Sequence, residues 1–444
     1  MLAGVHTQRR ELGLASAIAV VTGESIALGI FLTPATMAKS LGSPLLLGLV
    51  WCGMGLMALC GALCYSELAV RFPQSGGEYI YLCEGFGKGA AFLYGWMSSV
   101  VMYPGLAAAL SVGAAAYVTA LLPMGTHLAA CMPALLLLGF AAINLLGTRL
   151  SGRLMTGLNL LKLLVLFALV SWVFLSGHAH ITNLLPLTQR SAGSEALFPA
   201  IAGAIVSAFF SFGGWWEAGK IAGEIRNPKR NLPIAFVGGV LLVTAVYLLI
   251  SFAFLAVLPI STTTSSIAFV SQFGGALFGG VGAKVLSCCA LVCVGGGLAA
   301  LTMAAPRVSY AMAQAGQFFF PFGRLHRRFG TTANAILLQT GLSLAALLLG
   351  TFDRILAYII FSAVVFLALT AATLFRLPQR AQACYFPAAP IVFIICSAVV
   401  ALLILFHNPF PALLGVCIVL GGGLLGRVFL RQDESATILV TERT

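Results

Sequence analysis

Charge is scarce in this sequence: 12 acidic and 24 basic residues among 444, or 8%, where soluble domains carry about 25%. A chain so poor in charge cannot solvate its own surface, which excludes a soluble globular protein. Catalytic signatures are missing too. There is no His-Glu-x-x-His helix, no Gly-x-Ser-x-Gly elbow and no cluster of metal-ligating side chains, so an intramembrane enzyme has no support and no cofactor or metal is implied. The eleven cysteines form no disulfide framework, because nearly all fall in apolar runs, where Cys packs as a small hydrophobe. Cys288, Cys289 and Cys293 have no His or acidic neighbour that would close a zinc site. The first apolar run is too long for a cleavable signal peptide and continues through Phe31-Leu32-Thr33-Pro34. The extensions at 1–13 and 432–444 leave no room for a soluble domain.

What is present is apolar length. With 60% hydrophobic residues, windows of about 20 apolar residues can be laid at 13–38, 45–70, 89–122, 129–147, 153–176, 196–223, 233–258, 281–314, 333–350, 353–376, 388–407 and 409–430. The expected fold class is an all-α polytopic membrane protein of twelve spans, one transmembrane domain over 1–444. Basic residues orient it. If the N-terminus lies inside, 18 of the 24 Lys and Arg fall in cytoplasmic segments and 4 on the opposite side, with Lys162 and Lys220 inside spans. The positive-inside rule then puts both termini in the cytoplasm, and the expected location is the cytoplasmic (inner) membrane. The net charge of +12 is therefore mainly topology, with anionic-lipid contact secondary. Nothing suggests nucleic-acid binding.

Two spans are interrupted. Span 6 arrives at Gly213-Gly214 within Phe209 to Pro233 (FFSFGGWWEAGKIAGEIRNPKRNLP), and span 1 carries Gly23 to Pro34 (GESIALGIFLTP). A helix broken at mid-depth frees N–H and C=O groups that lipid cannot satisfy, so they must face a cavity or a ligand. Two such breaks in corresponding halves mark the binding site of a transporter. For the glycines of span 1 the bland alternative is helix packing of the small-xxx-small kind. Lys162 lies among aliphatic residues of span 5, where a lysine is costly and marks function unless it snorkels. Glu24, Glu217 and Lys220 add further charge within the broken spans.

These blocks, together with CYSELAVRFPQSGGEYIYLCEGFGKGAAFLYGW and APRVSYAMAQAGQFFFPFGRLHRRFGTTANAI, resemble those of the amino acid–polyamine–organocation (APC) superfamily, nearest its L-type amino acid transporter branch and bacterial relatives. The resemblance runs from span 1 to span 9. It implies a LeuT-like fold: inverted repeats over 13–176 (spans 1 to 5) and 196–376 (spans 6 to 10), broken spans 1 and 6, and peripheral spans 11 and 12 over 388–430. It places Phe210 as a lid over the substrate and Lys162 in the position of a cation between spans 1, 5 and 8. Cys293 and Gly297 stand in span 8 where related transporters have serines, and neither offers a hard oxygen ligand. Glu224 matches the acidic residue before the Asn-Pro turn and is expected to pair with a loop arginine. Glu67 and Glu78 are available to the cations of the loop between spans 2 and 3.

The expected function is sodium-independent secondary transport of small or medium neutral L-amino acids by alternating access. Opposite half-helix ends suit opposite charges. The substrate carboxylate is assigned to N–H groups of Leu28 and Gly29, and its ammonium to carbonyls of Ser25, Phe210 and Gly213. Ile26, Ala27, Ser211 and Gly214 complete the candidate pocket, with Ala27-Leu28-Gly29 replacing the family's Gly-Ser-Gly and making it more apolar. Glu24, Glu217, Lys220 and Glu224 form the expected gating network, with Lys220 bridging to Glu24 or paired locally with Glu217. The alternatives are a cationic amino acid or polyamine antiporter, with Glu24 or Glu217 as the acidic determinant, and a non-transporting amino acid sensor. Exchange and proton symport both remain open, as does oligomeric state.

Overall fold

The computed structural model describes residues 10–426 apart from 28, 123, 192, 261–265, 350–351, 378–384, 408–416, 418 and 425. Among the described residues there are helices and no named strands. Eight helices are long and apolar enough to cross a membrane. The all-α multi-pass class stands on that. Most of the twelfth expected span, 409–430, lies outside the described residues.

Span 1 is two helices, α1 (Leu14–Ser25) and α2 (Gly29–Leu41). Next come α3 (Pro44–Arg71), α4 (Glu78–Phe86) and α5 (Lys88–Trp96), the last running through a π-helical turn at Met97–Met102 into α6 (Tyr103–Leu121). Helices α7 (Thr126–Leu145), α8 (Thr148–Leu175) and α9 (Leu197–Phe212) follow. Span 6 stops at Phe212, turns at Gly214 and continues only as 3-10 turns, Trp215–Gly219 and Ala222–Glu224. The helix-compatible stretch expected there is thus not α-helical. The chain resumes as α10 (Pro228–Val257), α11 (Ser266–Phe278), α12 (Gly282–Ala304), α13 (Pro306–Gln314), α14 (Ala333–Ala346), α15 (Phe352–Arg376) and α16 (Ala388–His407). Hydropathy windows do not show α4 and α11, because both are shorter than a span.

The two broken spans lie side by side and antiparallel. Helix α1 packs on the turn Trp215–Gly219, and α2 packs on α9. Other contacts repeat with a shift of five spans: α1 meets α10 as α9 meets α3, and α6 meets α14 and α15 as α12 meets α7 and α8. Close approach at the centre depends on missing side chains. A Cβ on Gly29 would stand 2.8 Å from the Ser211 hydroxyl, and one on Gly297 would stand 2.7 Å from Cβ of Ala27.

Candidate functional site

Helix α1 ends at Ser25 and α2 begins at Gly29, so the carbonyls at the end of α1 are short of helical N–H donors, although that of Thr22 still accepts from the Ile26 N–H at 3.0 Å. Their further partners come from other helices. On α8, Asn159 and Lys162 are three residues apart and share one face. Asn159 Nδ2 donates to the Thr22 hydroxyl at 2.8 Å. Lys162 Nζ donates to the carbonyls of Thr22 (3.1 Å), Gly23 (2.9 Å) and Ile26 (2.8 Å). An ammonium has three protons, and all three are used. Lys162 is fully buried, so it does not snorkel. On α12, Gly296 faces the ammonium, with its built Cβ 3.6 Å from Nζ, and Cys293 is its ionisable neighbour. Gly297, the residue singled out from sequence, lies against Ala27 and the Gly23 carbonyl instead.

The second clamp was not visible in the sequence. Tyr247 of α10 holds its hydroxyl 2.5 Å from the carbonyl oxygens of both Ser25 and Ser211, one from each broken span. A phenol has one proton, so it donates to one carbonyl at a time. Its ring is fixed by a stack on Trp51 at 4.7 Å and an edge contact with Phe212 at 5.3 Å. The only signal in the sequence is a tyrosine in mid-span, where its hydroxyl must find a partner. A third tie joins the Thr33 and Ser211 hydroxyls at 2.7 Å.

Between the breaks lies a cavity of about 70 Å³. Of the expected pocket residues, Ser25, Ala27, Gly29, Phe210, Ser211 and Gly213 line it, with Glu24 beside them. Ile26 does not, since its carbonyl is turned to Lys162. Gly214 also lies outside the lining; its φ of +105° suits glycine, and a Cβ there would meet Cβ of Glu24 at 2.5 Å. Leu28 lies outside the described residues. The remaining wall comes from Met102 and α6 (Tyr103, Leu106, Leu110), Phe209 of α9, Trp216 of the turn Trp215–Gly219 and Ala363 of α15. The π-helical turn before Tyr103 shifts the helix register by one residue there.

Charged groups gather on the side of the cavity nearer the N-terminus. Lys220 Nζ donates to Glu217 Oε1 (2.7 Å) and Glu78 Oε1 (3.1 Å). The expected bridge from Lys220 to Glu24 is not formed in this structure, and Glu78 takes that place instead of pairing with loop cations. Glu67 does pair with Arg71, at 2.7 Å. Tyr103 donates to Glu217 Oε1 at 3.1 Å, and its ring centroid lies 5.0 Å from Lys220 Nζ. Glu224 and Arg307 form a buried fork, Nε to Oε1 at 2.9 Å and a terminal nitrogen to Oε2 at 3.1 Å. The arginine begins α13 rather than standing in a loop. Leu12 joins the same layer by backbone, N–H to the Glu224 carbonyl (2.9 Å) and carbonyl to the Arg226 N–H (2.8 Å). The Gly76 N–H caps the Lys220 carbonyl at 3.1 Å. Together these ties seal the N-terminal side.

No group of metal-ligating side chains occurs among the described residues. The cavity brings together the start of α2, the end of α9 and a largely apolar wall, with no nucleophile–base pair among the described residues that line it.

The serine/threonine exchanger SteT of Bacillus subtilis (strain 168) is 29% identical over 385 residues, covering 85% of this chain and 86% of that protein. The b(0,+)-type amino acid transporter 1 of Mus musculus is 32% identical over 275 residues, 60% of this chain and 55% of that protein. The Asc-type amino acid transporter 1 of the same organism is 27% identical over 426 residues, 93% and 80% of the two chains. Residues 12–419 match the family described as amino acid permease. The chain belongs to that family, within the APC superfamily, and is a multi-pass membrane transporter rather than an enzyme.

Proposed function

We propose that this amino acid permease moves small neutral L-amino acids by alternating access, without sodium, through a twelve-span LeuT-like scaffold whose inverted repeats cover 13–176 and 196–376. Both termini face the cytoplasm in this reading, as the bias of basic residues requires. The antiparallel broken spans and the contacts repeated at a shift of five spans support the scaffold.

One observation carries the sodium-independent part: the Lys162 ammonium takes three carbonyls of the α1 break, the ligands a cation between spans 1, 5 and 8 would need. The substrate carboxylate goes to the N–H groups at the start of α2, Gly29 and Leu28, where the helix dipole favours an anion. The ammonium goes to the Phe210 and Gly213 carbonyls. Ser25 drops out of that role, since its carbonyl accepts from the Ala27 N–H (3.0 Å) and also lies against the Tyr247 hydroxyl, so both lone pairs are engaged, whereas the Phe210 carbonyl accepts one backbone bond, from the Gly213 N–H (3.0 Å).

Size sets the substrate range. At about one water per 10–15 Å³ of such volume, 70 Å³ corresponds to a handful of waters, or one amino acid with a short side chain. SteT is named for serine and threonine, which fits that limit. The test is uptake of labelled L-serine into proteoliposomes with and without sodium, competed by neutral, cationic and anionic amino acids and putrescine. Sodium dependence, or competition by putrescine and arginine alone, would overturn this reading. The second case would favour the cationic antiporter, with Glu24 in the cavity wall as its determinant.

A further inference from the structure

The charge layer beside the cavity is unbalanced. Two carboxyl groups, Glu217 and Glu78, bond to one ammonium, Lys220, while Glu24 lies beside them against Gly214 without reaching that ammonium, and all four side chains are at most 7% exposed. A structural latch needs one acid for one base. Here Lys220 serves one oxygen each of Glu217 and Glu78, while Oε2 of Glu24, Glu78 and Glu217 has no partner. Fully ionised, the cluster would hold two uncompensated negative charges in an apolar setting, which is strongly unfavourable.

Among the described residues, no neighbouring element supplies the missing positive charge. On α8, Lys162 spends all three protons on α1 carbonyls, and Cys293 of α12 lies beside it. On α10, Tyr247 is engaged with the Ser25 and Ser211 carbonyls. Tyr103 already donates to Glu217 and lies 3.3 Å from the Tyr94 hydroxyl. Tyr65 of α3 and Tyr81 of α4, whose rings lie 6.2 Å apart, are phenols and supply no positive charge. Arg307 is taken by Glu224.

Position makes the imbalance useful. Glu24 and Tyr103 both line the cavity, and Tyr103 bonds onward to Glu217, which shares Lys220 with Glu78. A chain of exchangeable groups therefore leads from the substrate cavity to the sealed N-terminal side.

Resting on the transport reading above, we propose that this cluster carries one proton per cycle and couples amino acid entry to proton entry, with Glu24 receiving the proton from the cavity. A proton from external water adds to the Glu24 carboxylate and forms an O–H bond while the N-terminal side is closed. When that side opens, the O–H bond breaks, the proton leaves to internal water and the carboxylate is restored. No other reactant is needed.

The test uses the full chain in liposomes holding a luminal pH dye, with the membrane potential clamped by potassium and valinomycin. L-Serine, L-alanine and L-threonine are the probes. The expected result is luminal acidification on adding substrate outside, and up to about tenfold more accumulated substrate per unit of acid-outside gradient, one proton being worth tenfold per pH unit. Glu24→Gln should abolish the acidification and flatten the response to the gradient, and Glu24→Asp should keep both. Exchange of labelled substrate with no acidification and no response to the gradient would overturn the proposal and leave the transport reading intact. Failure of all three probes to move at all would overturn the transport reading itself. Acidification that survives Glu24→Gln would remove Glu24 from the path. Should that variant not fold, as judged by gel filtration, the wild-type signal and the Glu24→Asp variant still decide.

Discussion

At Lys162 the cost of a buried ammonium is offset by three carbonyls at the break in span 1, of which only that of Thr22 has a backbone donor as well, the Ile26 N–H. Each partner makes the other tolerable, so removing one exposes both. Lys162→Ala should lower L-serine uptake by at least about tenfold, a loss of about 1.4 kcal/mol of site organisation, while the protein still elutes as a single species on gel filtration. Unchanged uptake in the variant would remove the lysine from the mechanism. Tyr247 is a milder case, because one proton serves two carbonyls. Tyr247→Phe keeps the stack on Trp51 and loses only the hydroxyl, so destabilisation of about 1 kcal/mol is expected, the size of a hydrogen bond between membrane helices. A thermal shift assay with and without substrate checks it, and the substrate-induced shift should shrink as the two breaks lose their shared donor.

At the scale of elements, the breaks are built from residues that cannot be enlarged. Gly214 sits at φ +105° with Glu24 against its α-carbon, and non-glycine residues there cost about 1–3 kcal/mol before any collision is counted. Gly214→Ala should therefore abolish uptake and lower the melting temperature. Gly213→Ala is the control: its built Cβ meets the Phe210 carbonyl at 3.0 Å and otherwise makes ordinary contact, with the Trp216 ring at 3.7 Å. It should fold and bind substrate more weakly, read as a higher KM with less effect on folding. Equal behaviour of the two variants would mean that the turn at Gly214 is not what holds span 6 open.

For the whole molecule, the closed N-terminal side rests on the Glu224–Arg307 fork, the Leu12 backbone bridge and the Lys220 cluster acting together. Alternating access requires that these ties break and reform in each cycle. Glu224→Gln and Arg307→Gln should each slow uptake, and the double variant should be less impaired than the sum, with a coupling of about 0.5–3 kcal/mol as expected for side chains in contact. Initial rates of serine uptake for the four proteins supply the cycle. Strict additivity would show that the fork is not a gate element.

The sequence alone determined the membrane class, the two breaks and the presence of a lysine, Lys162, inside a span, because each is a local property: apolar length, glycine within a span, charge where lipid forbids it. It also singled out Glu24, Glu217, Lys220 and Glu224. Only tertiary structure decided the pairings. Glu78 rather than Glu24 meets Lys220, since α4 is a helix that turns its first residue inward. Gly296 rather than Gly297 faces Lys162, since one residue on a helix is a rotation of about 100°. Tyr247, Tyr103 and Arg307 escaped notice because a single aromatic or basic residue in an apolar chain has no pattern of its own. What it touches depends on helices far away in sequence: the Tyr247 hydroxyl reaches a carbonyl 222 residues distant. Periodicity and composition hold no record of such contacts, which are fixed by how the helices cross.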